Sequence, residues 1–301
     1  MRKLLLIFII PILSTSCVLA QRWKSLRYEM CYGLGATNFL GDLGGSSQLG
    51  THYFRDLNWN ETGLAVHAGL RYRMTDYTSL KANLFIANVS GDDKNSSETF
   101  RHNRNLSFYT NIIELSGQFE FSYMKEKLGH RYKLKGIKGN SKLDIYNYFF
   151  IGLGMFYFNP QAKLDGTWYD LQPLGTEGQG ILPTRDRYSR IQVAIPLGFG
   201  LKKALGGRWA VNLEYGIRKT FTDYIDDVST TYVDPKIFPA GSPAALLSNR
   251  ALAGKDPADP MYGSSAPNQQ RGDPRFTDSY MFAVVSVTYK LKNGKGNLPK
   301  F

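Results

Sequence analysis

The stretch Ser189–Asp227, SRIQVAIPLGFGLKKALGGRWAVNLEYGIRKTFTDYIDD, holds two runs of alternating residues around a short break, Lys203–Arg208. In the first run Ile191, Val193, Ile195, Leu197, Phe199 and Leu201 share one face, with Arg190, Gln192, Gly198, Gly200 and Lys202 opposite. In the second, Trp209, Val211, Leu213, Tyr215 and Ile217 face one way, with Asn212, Glu214, Gly216 and Arg218 opposite. Side chains on a strand alternate with period two, so the stretch is a hairpin with one apolar and one polar face. Each run is about eleven residues, the length a tilted strand needs to cross a bilayer core. Soluble strands usually have about five or six.

Working outward, the same pattern predicts six more strands: Tyr28–Thr37, Gly63–Met74, Thr78–Ala87, Leu106–Tyr123, Asp144–Phe158 and Ser279–Leu291. The run at Asp144–Phe158 is apolar on both faces. We orient it with Phe149, Ile151, Leu153 and Met155 outward, which places Gly152 and Gly154 inside. Between the strands lie Asn38–Thr62, a tight turn at Thr75–Tyr77, a polar loop Asn88–Asn105, a basic connection Met124–Leu143, the loop Asn159–Tyr188 and a very long loop, Thr220–Asp278. Within that last loop Ser242–Leu252 has the makings of a short helix, capped by Ser242 with Pro243 in its first turn.

Alternation alone suits a secreted sandwich or a lipocalin-like barrel as well as a membrane barrel. Three further features select an all-β fold, an eight-stranded antiparallel transmembrane β-barrel with long extracellular loops and short periplasmic turns. The strand number is even and the connections alternate between long and short, as in outer-membrane barrels. Aromatic residues collect at strand ends, Tyr28, Tyr72, Phe121, Tyr123, Tyr146, Trp209 and Tyr289 on the turn side and Phe108, Tyr109, Tyr157, Tyr188 and Phe282 on the loop side, as two interfacial girdles would require. Finally, the polar face carries both signs of charge: Glu29, Arg71, Lys81, Glu114, Glu120, Glu214 and Arg218. A narrow barrel has little interior volume, so these predict a paired network in the lumen, not a pore.

The N-terminus reads as an export signal over residues 1–20. Arg2 and Lys3 precede the apolar Leu4–Leu13, and Val18-Leu19-Ala20 supplies small residues for cleavage, so the mature chain is expected from Gln21. A competing reading attaches lipid at Cys17. With cleavage at Ala20, Cys31 is the single mature cysteine, which excludes an internal disulfide and a cysteine metal site. The barrel then spans 21–291, followed by a short basic periplasmic tail, 292–301. The expected location is the outer membrane of a Gram-negative bacterium, reached by the general secretory route.

The formal net charge is +12. Much of it sits in one connection, where Lys125, Lys127, Arg131, Lys133, Lys135, Lys138 and Lys142 face a single acid, Glu126. In an exported protein such a cluster points to anionic lipid headgroups or an acidic protein, or is simply solvated, and nucleic acid is not expected.

Catalytic and metal motifs are sparse. His52, His67, His102 and His130 are scattered without ligand spacing, and neither a nucleophile elbow nor a phosphate-binding glycine loop occurs. Asp223, Asp226 and Asp227 lack calcium-loop spacing and read as a solvated loop. Arg271-Gly272-Asp273 matches an adhesive tripeptide that three residues meet easily by chance. No cofactor, no metal, no small-molecule substrate and no enzymatic activity are expected. A lipid-modifying barrel enzyme is the least favoured alternative.

The segment Trp168-Tyr169-Asp170-Leu171-Gln172-Pro173-Leu174-Gly175-Thr176-Glu177-Gly178-Gln179-Gly180 resembles a Bacteroidota outer-membrane barrel family that includes PorG of the type IX secretion and gliding machinery. Segments at Asn38–Leu43, Arg104–Phe108, Asn111–Leu115 and Tyr215–Asp234 are similar to the same family. The resemblance implies a non-enzymatic barrel that associates with the periplasmic PorK–PorN ring. Its signature residues Trp168, Tyr169, Asp170, Gln172, Pro173, Gly175, Glu177 and Gly178 fall on the extracellular side. The ring would meet the opposite side, through the basic connection, Lys202, Lys203, Arg208 and the tail. A surface adhesin or receptor acting through residues 220–278 is the alternative.

Overall fold

Strands that place large aliphatic residues on one face and charged residues on the other can satisfy both only by curling until the polar face is enclosed. The computed structural model, which describes residues 26–43, 61–96, 98–125, 145–206, 208–253 and 260–292, has this form. Eight strands close the barrel: β1 (Tyr28–Leu40), β2 (Gly63–Arg73), β3 (Thr78–Asp92), β4 (Ser107–Phe121), β5 (Ile145–Leu164), β7 (Ile191–Gly206), β8 (Trp209–Thr220) and β9 (Ser279–Leu291). Every neighbour is antiparallel, and β1 pairs with β9 to complete the ring. A four-residue strand, β6 (Thr167–Asp170), pairs with the far end of β5, outside the ring. No helix is long and apolar enough to cross a membrane among the described residues. The longest are three short pieces in the loops: α1 (Thr99–Arg104), α2 (Leu171–Leu174) and α3 (Pro243–Ser248).

The outer face is a continuous apolar belt. Leu34, Leu64, Leu115 and Leu153 are 61–76 % exposed. Leaving one such side chain in water forgoes about 1.5–3 kcal/mol, so a belt of them needs a hydrocarbon surround. Phe149, Ile151, Leu153 and Met155 of β5 point outward as oriented from the sequence, and Gly152 lies so close to β4 that a Cβ would sit 2.1 Å from the Gly117 carbonyl. The turn-side girdle is present: Tyr28 packs on Tyr72 with centroids 5.0 Å apart, and Trp209 on Tyr289 at 4.7 Å.

The loop-side girdle differs. Phe108, Tyr188 and Phe282 are buried and point inward, leaving Tyr109 and Tyr157 with Trp168 on the outside. The cause is parity on strands longer than predicted: Phe108 shares its face with Glu114 and Phe282 with Val284, and both faces turn inward. β3 runs to Asp92 and β5 to Leu164, past the predicted ends at Ala87 and Phe158, because Asn88–Asp92 pair with Ser107–Asn111 of β4 and the end of β5 pairs with β6. The wall therefore rises beyond the belt, and aromatics at its inner surface become core. The predicted helix in the long loop is shorter than expected, Pro243–Ser248, but Ser242 caps it, accepting from the Ala245 amide at 3.3 Å. The predicted loop Asn88–Asn105 likewise contains α1.

The interior has two storeys. Toward the long loops, Phe39, Phe85, Phe156, Phe158, Tyr280 and Phe282 form an aromatic core with Ile225, Val228 and Leu247 of the overlying loop. Toward the short turns the lumen is ionic.

Candidate functional site

The ionic storey is built around Arg71. Its guanidinium lies 3.1 Å from Glu29, 2.7 Å from Glu120 and 3.2 Å from Glu214, and donates to the Tyr148 hydroxyl at 3.0 Å. Lys81 binds Glu214 at 2.5 Å, and Lys202 binds Glu29 at 2.7 Å, with Lys290 3.7 Å from the same carboxylate. Higher up, Arg218 reaches Glu114 at 3.3 Å while its guanidinium stacks 4.3 Å from the Phe282 ring centroid. Period-two alternation puts all of these inside, and each carboxylate meets a cation. That is the condition under which buried charge is tolerated. Its place near the turn predicts Lys202 on the partner-facing side. It is 3 % exposed and belongs to the lumen.

Over the opposite mouth the long loops form a cap. Glu177, from the connection between β6 and β7, accepts from Arg271 Nη1 at 2.9 Å, from the Ser229 amide at 3.0 Å and from Thr230 Oγ1 at 2.7 Å. Arg271 also donates to the Asp227 carbonyl at 2.7 Å. The Asp227 carboxylate receives the Thr176 and Tyr188 hydroxyls, the latter at 2.7 Å. Arg104 at the end of α1 binds Asp93 at 2.8 Å and donates to the carbonyls of Asp42 and Arg271, both at 2.6 Å. Four loops, those leaving β1, β3, β6 and β8, are thereby fastened to one another.

The signature residues serve this construction. Asp170 accepts from Asn159 at 2.9 Å and Gln161 at 2.5 Å, closing the β5–β6 hairpin. Gln172 donates to the Tyr188 carbonyl at 3.1 Å, and the Pro173 carbonyl accepts from Arg187. Gly175 ends α2 at φ +64° and Gly178 turns at φ +82°, both left-handed conformations that glycine adopts without strain. Trp168 and Tyr169 lie on β6, with Trp168 half-exposed beside Tyr109.

Beneath the cap the carboxylates read as a solvated loop are buried. Asp226 and Asp227 are fully enclosed and Asp223 is 8 % exposed. Asp226 and Asp278 cap backbone: Asp226 accepts from the Leu43 and Val228 amides at 2.9 and 3.0 Å, and Asp278 from the Ile225 amide at 2.8 Å. Burial pushes Asp223 up to about 8 and Asp227 up to about 6, against the pull of Arg271 on the latter. Burial and the neighbouring Asp42 raise Asp226, and burial and Asp226 raise Asp278. Among the described residues no group of three or more His, Cys, Asp or Glu is arranged to hold a metal ion. Arg271, the first residue of the adhesive-type tripeptide, is 3 % exposed and turned inward, and Asp273 is paired with Arg275 at 2.6 Å, so the tripeptide is not displayed.

On the turn side Lys125 is exposed, 3.9 Å from Asp76 and 5.7 Å from the Tyr77 ring centroid. Lys127, Arg131, Lys133, Lys135, Lys138 and Lys142 lie outside the described residues, as do the export segment 1–20 and residues 293–301. The sequence names Arg104 only at the head of a family-like segment and Arg271 only in the tripeptide, does not single out Asp93, and gives no sign that the three organise the cap. Their spacing carries no local signal.

A closed eight-stranded barrel with an apolar exterior, a charge-paired lumen and a loop cap is a barrel of the outer-membrane type. The chain belongs to the family described as a domain of unknown function, DUF6089, whose model matches residues 3–236. No curated protein matches the sequence. Among solved structures it is similar to Neisserial surface protein A (9 % identity, covering 88 % of this chain and 96 % of that one, TM-score 0.37). It is also similar to Ail, the attachment invasion locus protein of Yersinia pestis (8 %, 89 % and 99 %, 0.37), and to the outer membrane protein OprG from Pseudomonas aeruginosa (9 %, 89 % and 97 %, 0.35).

Proposed function

We propose that the protein is a non-conducting, non-enzymatic outer-membrane anchor, a structural component of type IX secretion or gliding that holds the periplasmic PorK–PorN ring to the membrane. The observation that carries the anchor reading is the filled lumen. Arg71 bridges Glu29, Glu120 and Glu214 across the barrel, with Lys81 and Lys202 completing the pairs, so conduction requires breaking buried salt bridges. The partnership with the ring rests on the resemblance of the loop signature and on the basic connection at Lys125–Lys142. Because Glu177, Gly175 and Gly178 are engaged in folding the cap, the ring contact is assigned to the turn side.

Two measurements test this. Reconstituted in planar bilayers, the barrel should pass no steady current, and a stable conductance would end the anchor reading. A tagged chain should recover ring proteins from outer membranes, and changing Lys125, Lys127, Lys133, Lys135 and Lys138 to Glu should abolish recovery at unchanged barrel abundance. Absence of ring proteins from the wild-type sample would remove the secretion assignment.

A further inference from the structure

The cap contains an open groove of about 460 Å³ that plays no part in the reading above. One wall is α1, with Phe100 and Arg101. The other is the Ser264–Gln270 segment of the β8–β9 loop, and the floor is Tyr232, Asp42 and Arg271-Gly272. Asn103 ties the walls at one point, donating to Ser264 Oγ at 3.2 Å. The volume falls within the range of small-molecule sites, about 300–1,000 Å³.

The lining decides the class of ligand. Its charges are already spent on one another: Arg104 on Asp93 and on the carbonyls of Asp42 and Arg271, Arg271 on Glu177, and Arg101 on the Asp42 carbonyl at 2.8 Å and on Glu98 at 3.8 Å. Among the described residues a multiply charged anion finds no free cation there. What remains is neutral hydrogen-bonding capacity. Gln269 and Gln270 are exposed on one wall. On the floor Tyr232 is 3 % exposed and lines the groove. Opposite the amides Phe100 is 64 % exposed, an uncovered ring on a loop otherwise folded by polar contacts. Planar amides and a buried hydroxyl read the hydroxyl groups of a ring, while an aromatic face covers its C–H side.

We infer that the groove between α1 and Ser264–Gln270 is a binding site for an uncharged oligosaccharide. Phe100 is the stacking platform, Gln269 and Gln270 bond ring hydroxyls from the other wall, and Tyr232 does so from the floor. Such a ligand reaches this face either from the cell's own surface polysaccharide or from outside.

The full-length barrel in detergent would be applied to an array of neutral and sulfated glycans, with the cell's own purified surface polysaccharide spotted beside them. Saturation-transfer NMR with maltotriose, mannotriose and chitotriose would follow. We expect binding of at least one neutral glycan, weakened tenfold or more by Phe100→Ala and by Gln269→Ala with Gln270→Ala, and about fivefold by Tyr232→Phe. Unchanged melting and an unchanged protease pattern would show that the cap still stands in each variant. Binding of the cell's own polysaccharide alone identifies the first source, and binding of foreign glycans the second. No neutral glycan bound by either method, recognition of sulfated glycans only, or affinity indifferent to all three variants would overturn the inference.

Discussion

Arg271 and Glu177, 94 residues apart in sequence, meet at 2.9 Å in an interior from which both are excluded from solvent. The pair joins the β6–β7 connection to the β8–β9 loop, and Glu177 adds bonds to Ser229 and Thr230. Glu177→Gln keeps the shape and removes the charge, leaving the guanidinium buried without its anion at a cost of about 3–5 kcal/mol. The loss should fall on the cap alone. Hydrogen exchange at 221–278 should accelerate by two orders of magnitude or more while the amides of β1–β5 stay protected, and equal acceleration throughout would contradict a separable cap.

Cap stability should fall as pH rises. The carboxyls of Asp223 and Asp227 titrate at about 8 and about 6 in the folded protein, above their unfolded value near 4, and Asp226 and Asp278 are also raised. A group whose folded pKa is raised contributes stability that is complete below the unfolded value and is lost through the folded one. The loss should therefore begin above about pH 4 and continue through pH 8. Tyr188 and Tyr224 stack 4.7 Å apart in the cap, so near-ultraviolet circular dichroism can follow its melting. The midpoint should be lower at pH 9 than at pH 5, and Asp223→Asn should flatten the upper part of the dependence. A midpoint that rises with pH would refute it.

The lumen should be sensitive to Arg71 above its other members. Arg71→Met strands Glu120 and weakens the hold on Glu29 and Glu214, costing about 3–5 kcal/mol. Urea unfolding in lipid, read by the gel shift between folded and unfolded bands, should show a lower midpoint. A midpoint equal to wild type would mean that the carboxylates find other partners.

Two glycines should respond oppositely to alanine. At Gly200 a Cβ would lie 2.3 Å from the Tyr148 ring, which is held by Glu214 and Arg71, so Gly200→Ala should cost about 1–3 kcal/mol. At Gly117 a Cβ meets nothing within 4 Å, and Gly117→Ala should be neutral or stabilising by about 0.5–1 kcal/mol. The same gel assay separates them, and equal effects would show that crowding at Tyr148 is not the cause.

The barrel was legible because its wall is periodic: each strand announces two faces, and Glu29, Arg71 and Glu214 fall on the enclosed one by parity alone. Strand ends were less legible. Asn88, Ser90, Gly91 and Asp92 have the composition of a loop, yet they pair with β4 because Ser107–Asn111 offer them a partner. The cap was hidden for a different reason. Asp226, Asp227 and Arg271 are polar residues in a Pro- and Gly-rich loop, a composition that signals solvent. Only the convergence of loops brought by separate strands buries them. Periodicity reports the environment of a regular element, and nothing comparable reports which loop lies over which.

The seam between β1 and β9 bears on the timing of assembly. The first strand of the ring finds its second neighbour only in the last, Tyr28 opposite Leu291 and Leu40 opposite Ser279. Glu29 on β1 is met early by Arg71 of β2, and gains Lys202 of β7 and Lys290 of β9 only as the later strands arrive. Until the final strand arrives, two sheet edges and a half-paired ionic interior face whatever surrounds the chain, and a hydrocarbon layer accepts neither. Insertion is therefore coupled to completion. A chain stopped before Ser279 should remain extractable from membranes by urea, whereas the full chain resists. The thirteen residues of β9 set the moment at which the thirteen of β1 can enter the bilayer.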